Sequence, residues 1–333
     1  MKAVAAVKGK ISITEIDLGI IPEGHVRIRT EYSAISPGTE MTFIKRASEQ
    51  PGLLGYSAVG VIEQIGSQVT GLEAGQRVAC YGAPYVRHAE WLTVPSNLTA
   101  PVPDHVRPEE AAFAGLGAIA IHALRVADLR FGESVVIVGL GILGQMTAQI
   151  ASAAGFQVAA LDVNAGRVEL LRRQGIGHAF DDQEQLEGKL AQLTGGHGAD
   201  CVILCAGGPG EALINRSLAW IRDKGEIVIV GDLSTEFSRG LMFGKEAEVL
   251  ISRAGGPGRY DAQYELENRD YPIGYVRWTE GRNIGEYVRL LAEKRIKVEP
   301  LISNIFPLER ADEAYRNYEQ PGSVMGTLLK YEK

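Results

Sequence analysis

The sequence has little of what defines several classes of protein. Its 333 residues include only three cysteines, Cys80, Cys201 and Cys205, which are too few and too poorly spaced for a disulfide framework or a cysteine zinc site. No apolar run approaches the 18 residues of a membrane-spanning helix, and residues 1–8 lack the apolar core of a signal peptide. The formal net charge of −7 argues against nucleic-acid or membrane partners. We therefore expect a cytoplasmic protein.

What is present is typical of a globular protein with more than one domain. The content of 45% hydrophobic and 23% charged residues is ordinary, and the length is about twice that of a common domain. The first hundred residues alternate in polarity, as residues 25–33 do, with frequent glycines, which predicts a β-rich domain.

Strands and helices alternate after Pro108, which predicts an α/β fold with a doubly wound parallel sheet. We expect its six strands at residues 134–138, 157–162, near His178, and at 200–206, 226–230 and 248–252. The last of them would form an edge of the sheet. Pairing with a second subunit would cover that edge, so we expect a homodimer.

A glycine-rich turn follows the buried strand of residues 134–138. Gly139, Gly141 and Gly144 have the G-x-G-x-x-G spacing. The first glycine allows a tight turn, the second leaves room for a pyrophosphate, and the third lets the helix pack close to the strand. Amide groups at the helix start, at Ile142 and Leu143, would bind the phosphates.

A carboxylate at the end of the next strand supports dinucleotide binding. Asp162 lies 18 positions after Gly144, close to the expected offset of about 20 residues. It would accept hydrogen bonds from the ribose hydroxyls and repel a 2′-phosphate, so the sequence favours NAD over NADP. We include Arg167 and Ala206 among the candidate cofactor residues. The alternative is that this strand, turn and helix serve packing alone.

The order of a β-rich half, a nucleotide fold and a short return to the first domain resembles the medium-chain dehydrogenase/reductase superfamily, which includes the alcohol dehydrogenases. The resemblance implies a GroES-like catalytic domain of residues 1–112 and 297–333, and a Rossmann domain of residues 113–296 with the active cleft between them. Its landmarks are Gly55–Gly66, Gly75–Val78, Ala89–Trp91, Val136–Gly144, Asp162 with Arg167, Phe306–Glu309 and Ala314–Tyr315.

The sequence departs from the zinc-dependent members of that superfamily. Their loop with a zinc-binding cysteine here reads Ala34-Ile-Ser-Pro-Gly-Thr-Glu40, and their Gly-His-Glu is here Gly55-Tyr56-Ser57. Neither serine nor tyrosine replaces a thiolate and an imidazole as zinc ligands. We therefore predict no metal, as in the zinc-free branch of the superfamily.

The candidates for proton transfer are the residues at the positions of the lost metal site: Ser36, Thr39, Glu40, Tyr56 and Ser57. Thr39 matches the relay hydroxyl of the superfamily. Glu40 would take a proton, directly or through Thr39, or bind substrate hydroxyls; its alternative role is to cap its own loop. Tyr56 would hydrogen-bond the reacting oxygen, or else only the backbone. His88 shares a strand face with Glu90, which allows an acid–base pair.

Residues 255–280 mix Arg, Tyr, Trp and Asp, which suits a polyhydroxylated ring, although salt bridges within a loop or a subunit contact would use the same residues. The substrate candidates are Arg253, Tyr260, Arg277 and Trp278. Our leading hypothesis is a metal-independent, NAD-dependent oxidoreductase that acts on a secondary alcohol or ketone of a sugar or cyclitol. The alternatives are a quinone or enoyl reductase and a non-catalytic nucleotide-binding protein.

Overall fold

The computed structural model describes residues 1–319, 322 and 324–332. Contacts group the chain into two compact units. Unit 1 comprises Met1–Ala118, Gly255–Lys294 and Val298–Lys333, and unit 2 comprises Ile119–Ala254 and Arg295–Lys297. The predicted domain division instead assigns residues 255–294 to the nucleotide-binding domain. They group with unit 1 because a helix that follows residue 279 packs against strands of that unit.

The amino-terminal part of unit 1 is rich in β-strands, as predicted. Its elements are β1 (Lys2–Val7), β2 (Lys10–Glu15), β3 (His25–Ala34), α1 (Pro37–Lys45), β4 (Gly52–Leu53), β5 (Ser57–Ile65), β6 (Arg77–Tyr81), β7 (Trp91–Pro95), β8 (Thr99–Pro101), α2 (Pro108–Ala111) and the first residues of α3 (Ala114–Val126).

Unit 2 contains the predicted parallel sheet. After α3 its elements are β9 (Ser134–Val138), α4 (Ile142–Ala153), β10 (Gln157–Leu161), α5 (Ala165–Arg173), β11 (Ala179–Phe180), α6 (Gln183–Leu193), β12 (Ala199–Leu204), α7 (Glu211–Trp220), β13 (Ile221–Ile229), α8 (Arg239–Lys245) and β14 (Glu248–Ile251). The strand order is β11-β10-β9-β12-β13-β14, with parallel neighbours. Strand β9 is central and wholly buried, which explains its run of β-branched residues.

The carboxyl-terminal segments complete unit 1. They form α9 (Ala262–Glu265), α10 (Glu280–Ala292), β15 (Ile302–Pro307), α11 (Ala311–Arg316) and β16 (Gly326–Lys330). Helix α10 begins at Glu280, because the side chain of Thr279 caps it by accepting a hydrogen bond from the Arg282 amide at 3.3 Å.

The main sheet of unit 1 joins distant parts of the chain. Its order is β15-β16-β3-β5-β6-β8, and β7 also pairs with β3. Strand β16 runs antiparallel to β3 at Tyr32–Ala34, which places the carboxyl-terminal segment beside the start of α1. Within the described residues, no helix is long and apolar enough to cross a bilayer.

Candidate active site and cofactor-binding turn

The three glycines of the β9–α4 turn have different surroundings. Gly139 has a φ of +90°, and a Cβ there would lie 2.7 Å from the Ala206 amide nitrogen. A Cβ on Gly144 would overlap the Gly139 carbonyl oxygen, whereas a Cβ on Gly141 would meet no atom within 4 Å. The first and third glycines are therefore required by backbone packing. The second leaves open space in front of the helix.

Helix α4 begins at that open space. Its N-cap residue, Gly141, has no side chain to bond the first amides. The first amide that donates within the helix is that of Gln145, to the Gly141 carbonyl at 2.9 Å. The preceding amides of Ile142, Leu143 and Gly144 are therefore available to an anion at the positive end of the helix. The geometry of this turn fits the pyrophosphate of a dinucleotide.

Asp162 fixes the same turn from the end of β10. Its Oδ2 accepts the Leu140 amide at 2.6 Å, and its Oδ1 accepts the Asn164 amide at 2.8 Å. The guanidinium of Arg167 lies 3.5 Å from Oδ2. The sequence spacing predicts that Asp162 binds the ribose. It gave no sign that Asp162 also holds the glycine turn.

In unit 1, Glu40 lies at the centre of a buried polar network and is only 3% exposed. Its Oε1 accepts the Ser36 amide at 2.8 Å, so the carboxyl group closes the first turn of α1. Its Oε2 accepts the Tyr315 hydroxyl and lies 3.0 Å from His88 Nε2. Three separate segments of the chain thus converge on one side chain.

His88 does not pair with Glu90. Its Nδ1 lies 2.7 Å from Ser33 Oγ, and its other nitrogen faces Glu40, whereas Glu90 accepts the Lys2 amide at 2.7 Å. The sequence allowed a pair because the two residues are two positions apart. The structure corrects that interpretation, because the chain around residue 88 lies outside a regular strand.

Tyr56 is linked to this network through Ser36, because its hydroxyl donates to Ser36 Oγ. Burial raises the pKa of Tyr56 to about 12, against smaller lowering effects of hydrogen bonds with Ser36 and Thr39. Its ring meets that of Tyr81 edge to face at 5.7 Å. Ser36, Thr39 and Tyr56 are therefore brought together, and Tyr56 is a neutral hydrogen-bond donor at ordinary pH.

Ser57 has a different environment from its neighbour. Its hydroxyl donates to the Ala112 carbonyl at 2.6 Å and accepts the Gly115 amide at 2.8 Å. Both hydrogen bonds hold the start of α3 against β5. This arrangement is structural, and the sequence gave no sign of it.

The substrate candidates are divided between the two units. Arg253 belongs to unit 2, and the other three belong to unit 1. Within unit 1, the Arg259 guanidinium lies 4.1 Å from the centre of the Tyr260 ring, and that of Arg277 lies 3.9 Å from the Trp278 ring. The Arg259 guanidinium also donates to the Ala83 carbonyl at 2.7 Å, and the neighbouring Gly82 amide donates to the Tyr56 carbonyl at 2.9 Å, so Arg259 and Tyr260 lie in the same part of unit 1 as Tyr56.

Two known domain families match this chain. Residues 22–104 match the alcohol dehydrogenase GroES-like domain, and residues 143–267 match the zinc-binding dehydrogenase domain. The chain belongs to the medium-chain dehydrogenase/reductase superfamily. As a member of it, the protein is an oxidoreductase.

Relatives of this oxidoreductase include dehydrogenases of polyols and sugar derivatives. Human sorbitol dehydrogenase is 27% identical over 85% of this chain and 80% of its own length. D-Guloside 3-dehydrogenase of Escherichia coli K12 is 28% identical over 95% of each chain. An alcohol dehydrogenase from Thermus sp. ATN1 covers the whole of both chains with a TM-score of 0.80 at 23% identity, which shows a shared fold.

The residues of this oxidoreductase do not fit a catalytic zinc. At the positions of the metal ligands, Ser36 accepts a hydrogen bond from Tyr56, and Ser57 is bonded to the backbone. These are hydroxyl groups, whereas zinc prefers thiolate, imidazole and carboxylate ligands. In the part of the chain that the structure describes, no group of three or more His, Cys, Asp and Glu side chains is arranged to hold a metal ion.

Proposed function

We propose that this protein is an NAD-dependent oxidoreductase that interconverts a secondary alcohol and a ketone of a sugar or cyclitol without a catalytic metal. The observation that carries the proposal is the neutral phenol of Tyr56, hydrogen-bonded to Ser36 at the position of the metal ligands. The relatives that act on polyols support the substrate class. The glycine turn, the free amides of α4 and Asp162 support the dinucleotide.

The chemistry of the proposal divides between cofactor and protein. A bound nicotinamide supplies or accepts the hydride. On substrate binding the Tyr56 hydroxyl turns from Ser36 Oγ to the substrate oxygen, to which it donates a hydrogen bond and, in the direction of reduction, its proton. Because burial raises the pKa of Tyr56 to about 12, the phenol keeps its proton until an alkoxide develops. Ser36 and Thr39 then stabilise the phenolate, and Thr39 is exposed to the solvent that returns the proton.

In this proposal Glu40 is a positioning residue. Both of its oxygens are bonded, and it meets the site only through the Ser36 amide. It fixes the start of α1, and so the hydroxyl of Ser36 that orients Tyr56. Its carboxyl group has no direct hydrogen bond to Tyr56 or Thr39 that would carry a proton from the substrate.

The substrate class is tested by NADH fluorescence on purified protein, with a panel of sugars, inositols and their keto forms beside quinones and enones. Turnover of a polyol or its ketone is the expected result. Turnover of enones alone would establish a double-bond reductase instead, and cofactor binding without turnover of any compound would favour the non-catalytic alternative.

We expect Tyr56→Phe to lower kcat by about 10²- to 10⁴-fold, the usual contribution of a positioned acid, with an unchanged dissociation constant for NADH. Tyr85→Phe, which alters another tyrosine of unit 1, is the control and should keep full activity. If Tyr56→Phe keeps full activity and a chelator then abolishes that activity, a metal performs this role.

We expect Asp162→Ser to shift the ratio of NAD and NADP dissociation constants toward NADP by at least about tenfold, because a carboxylate no longer faces the 2′-phosphate. Asp162→Asn is the matched control, since it removes the charge but keeps an acceptor for the Leu140 amide. Titration by fluorescence measures both constants. An unchanged ratio in both variants would refute the assignment of Asp162 to the ribose.

We also propose a homodimer that pairs β14 of two subunits. Strand β14 is an edge of the parallel sheet, and its Ile251 is 61% exposed. A second strand would bond the backbone amide and carbonyl groups on the outer edge of β14 and cover the Ile251 side chain. Ile251→Lys should therefore give a monomer in sedimentation velocity, whereas Ile20→Lys, at an exposed site of unit 1, should not. A wild-type monomer at micromolar concentration would contradict the proposal.

A further inference from the structure

Hydrogen bonds and close packing within unit 1 fix the glycine-rich loop of residues 255–261. The Gly255 carbonyl accepts the side-chain amide of Asn283 at 2.8 Å, and the Pro257 carbonyl accepts the Glu280 amide at 2.8 Å. A Cβ on Gly258 would lie 2.6 Å from the Tyr264 ring. These glycines allow close packing against α9 and α10, so the loop is a fixed part of the unit.

Glu265 binds the end of this loop. It is buried, and its Oε1 accepts both the Tyr260 amide at 3.0 Å and the guanidinium of Arg259. Arg259 also donates to the Ala83 carbonyl at 2.7 Å. Its guanidinium is therefore held at two points within the protein.

Tyr260 has a costly backbone conformation and an exposed side chain. Its φ of +66° lies in the left-handed region, which is rare for a bulky side chain and is found where surrounding structure imposes it, often at functional sites. One face of the ring is covered by the Arg259 guanidinium, yet the residue as a whole is 57% exposed. The structure thus exposes part of an aromatic side chain, and Arg259 links it through the Ala83 and Gly82 backbone to the segment of Tyr56.

We propose that the Tyr260 ring is a stacking platform for the C–H face of a sugar or cyclitol ring, and that Glu265 is the residue that positions it. This inference rests on the proposed function and deepens it, because it names a cyclic substrate. The flat C–H face of such a ring matches an aromatic surface, while its hydroxyls lie at the rim. The cation beneath Tyr260 is paired with Glu265, so it supports the ring and does not bind the substrate.

The test compares cyclic with acyclic substrates. For a cyclic member of the panel that the wild type uses, we expect Tyr260→Ala to raise KM about tenfold. Neither kcat nor the KM of an acyclic polyol such as sorbitol should change as much. Tyr260→Phe keeps the ring, so its KM should equal that of the wild type.

Glu265 is tested by the same readout. Glu265→Ala should raise the KM of the cyclic substrate as Tyr260→Ala does. Glu265→Gln should have the wild-type KM, since an amide oxygen still accepts the Tyr260 amide. Should Glu265→Ala fail to fold, the two Tyr260 variants decide alone. An unchanged KM for Tyr260→Ala overturns the platform but leaves the proposed function intact. A wild type that uses no cyclic compound but does use acyclic polyols also overturns it, whereas a wild type inactive on every polyol overturns both proposals.

Discussion

Gly144→Ala is expected to destabilise the protein by about 2 to 3 kcal/mol and to weaken NADH binding at the same time. A methyl group at this position would overlap the Gly139 carbonyl oxygen. The obstacle is backbone, so α4 must move away from β9, and overpacking of this kind costs about 1 to 3 kcal/mol. Differential scanning calorimetry should show a melting temperature lower by roughly 4 to 10 °C.

Gly141→Ala is the matched control, since it adds the same methyl group three residues earlier. Here the new Cβ would meet no protein atom within 4 Å, and the φ of −63° suits alanine. We expect an unchanged melting temperature but weaker NADH binding, because the methyl group occupies the space in front of the helix. Equal melting temperatures for both variants would contradict this account of the turn.

Glu280→Gln is expected to stabilise the protein by about 2 to 4 kcal/mol at pH 8 and to have little effect at pH 4.5. Glu280 is wholly buried, and the charged side chains that face its carboxyl group are Arg259 and Glu265. Burial, which outweighs the opposing effect of Arg259, raises the pKa of Glu280 from 4.5 to about 9. Between these values the folded protein binds a proton that the unfolded chain does not, so its stability falls as the pH rises.

Glutamine is neutral at every pH and has nearly the same shape, so it removes this dependence. Urea unfolding at intervals from pH 4.5 to pH 9 measures the effect. Glu313→Gln, on the surface helix α11, is the control and should keep the wild-type profile. A wild-type free energy of unfolding that does not fall across this range would show that Glu280 is not a buried acid of this kind.

The sequence predicts the parallel sheet and the glycine turn well, because both depend on local spacing. Gly139, Gly141 and Gly144 lie within six residues, and Asp162 follows at a distance set by one helix and one strand. Glu40 is different. Its partners His88 and Tyr315 lie 48 and 275 residues away, and no pattern in the sequence links them. Glu280 is likewise an ordinary helix-start acid until packing buries it.

The contact of Tyr315 and β16 with the first strands has a consequence for the order of synthesis. Ser36, Glu40 and Tyr56 are synthesised before the nucleotide-binding sheet, whereas Tyr315 and the strand β16 that pairs with β3 are synthesised after it. Until then Glu40 lacks one donor, and β3 has an open edge. The hydrogen bond between Glu40 and Tyr315 and the pairing of β3 with β16 can therefore form only after every strand of the nucleotide-binding sheet has been synthesised.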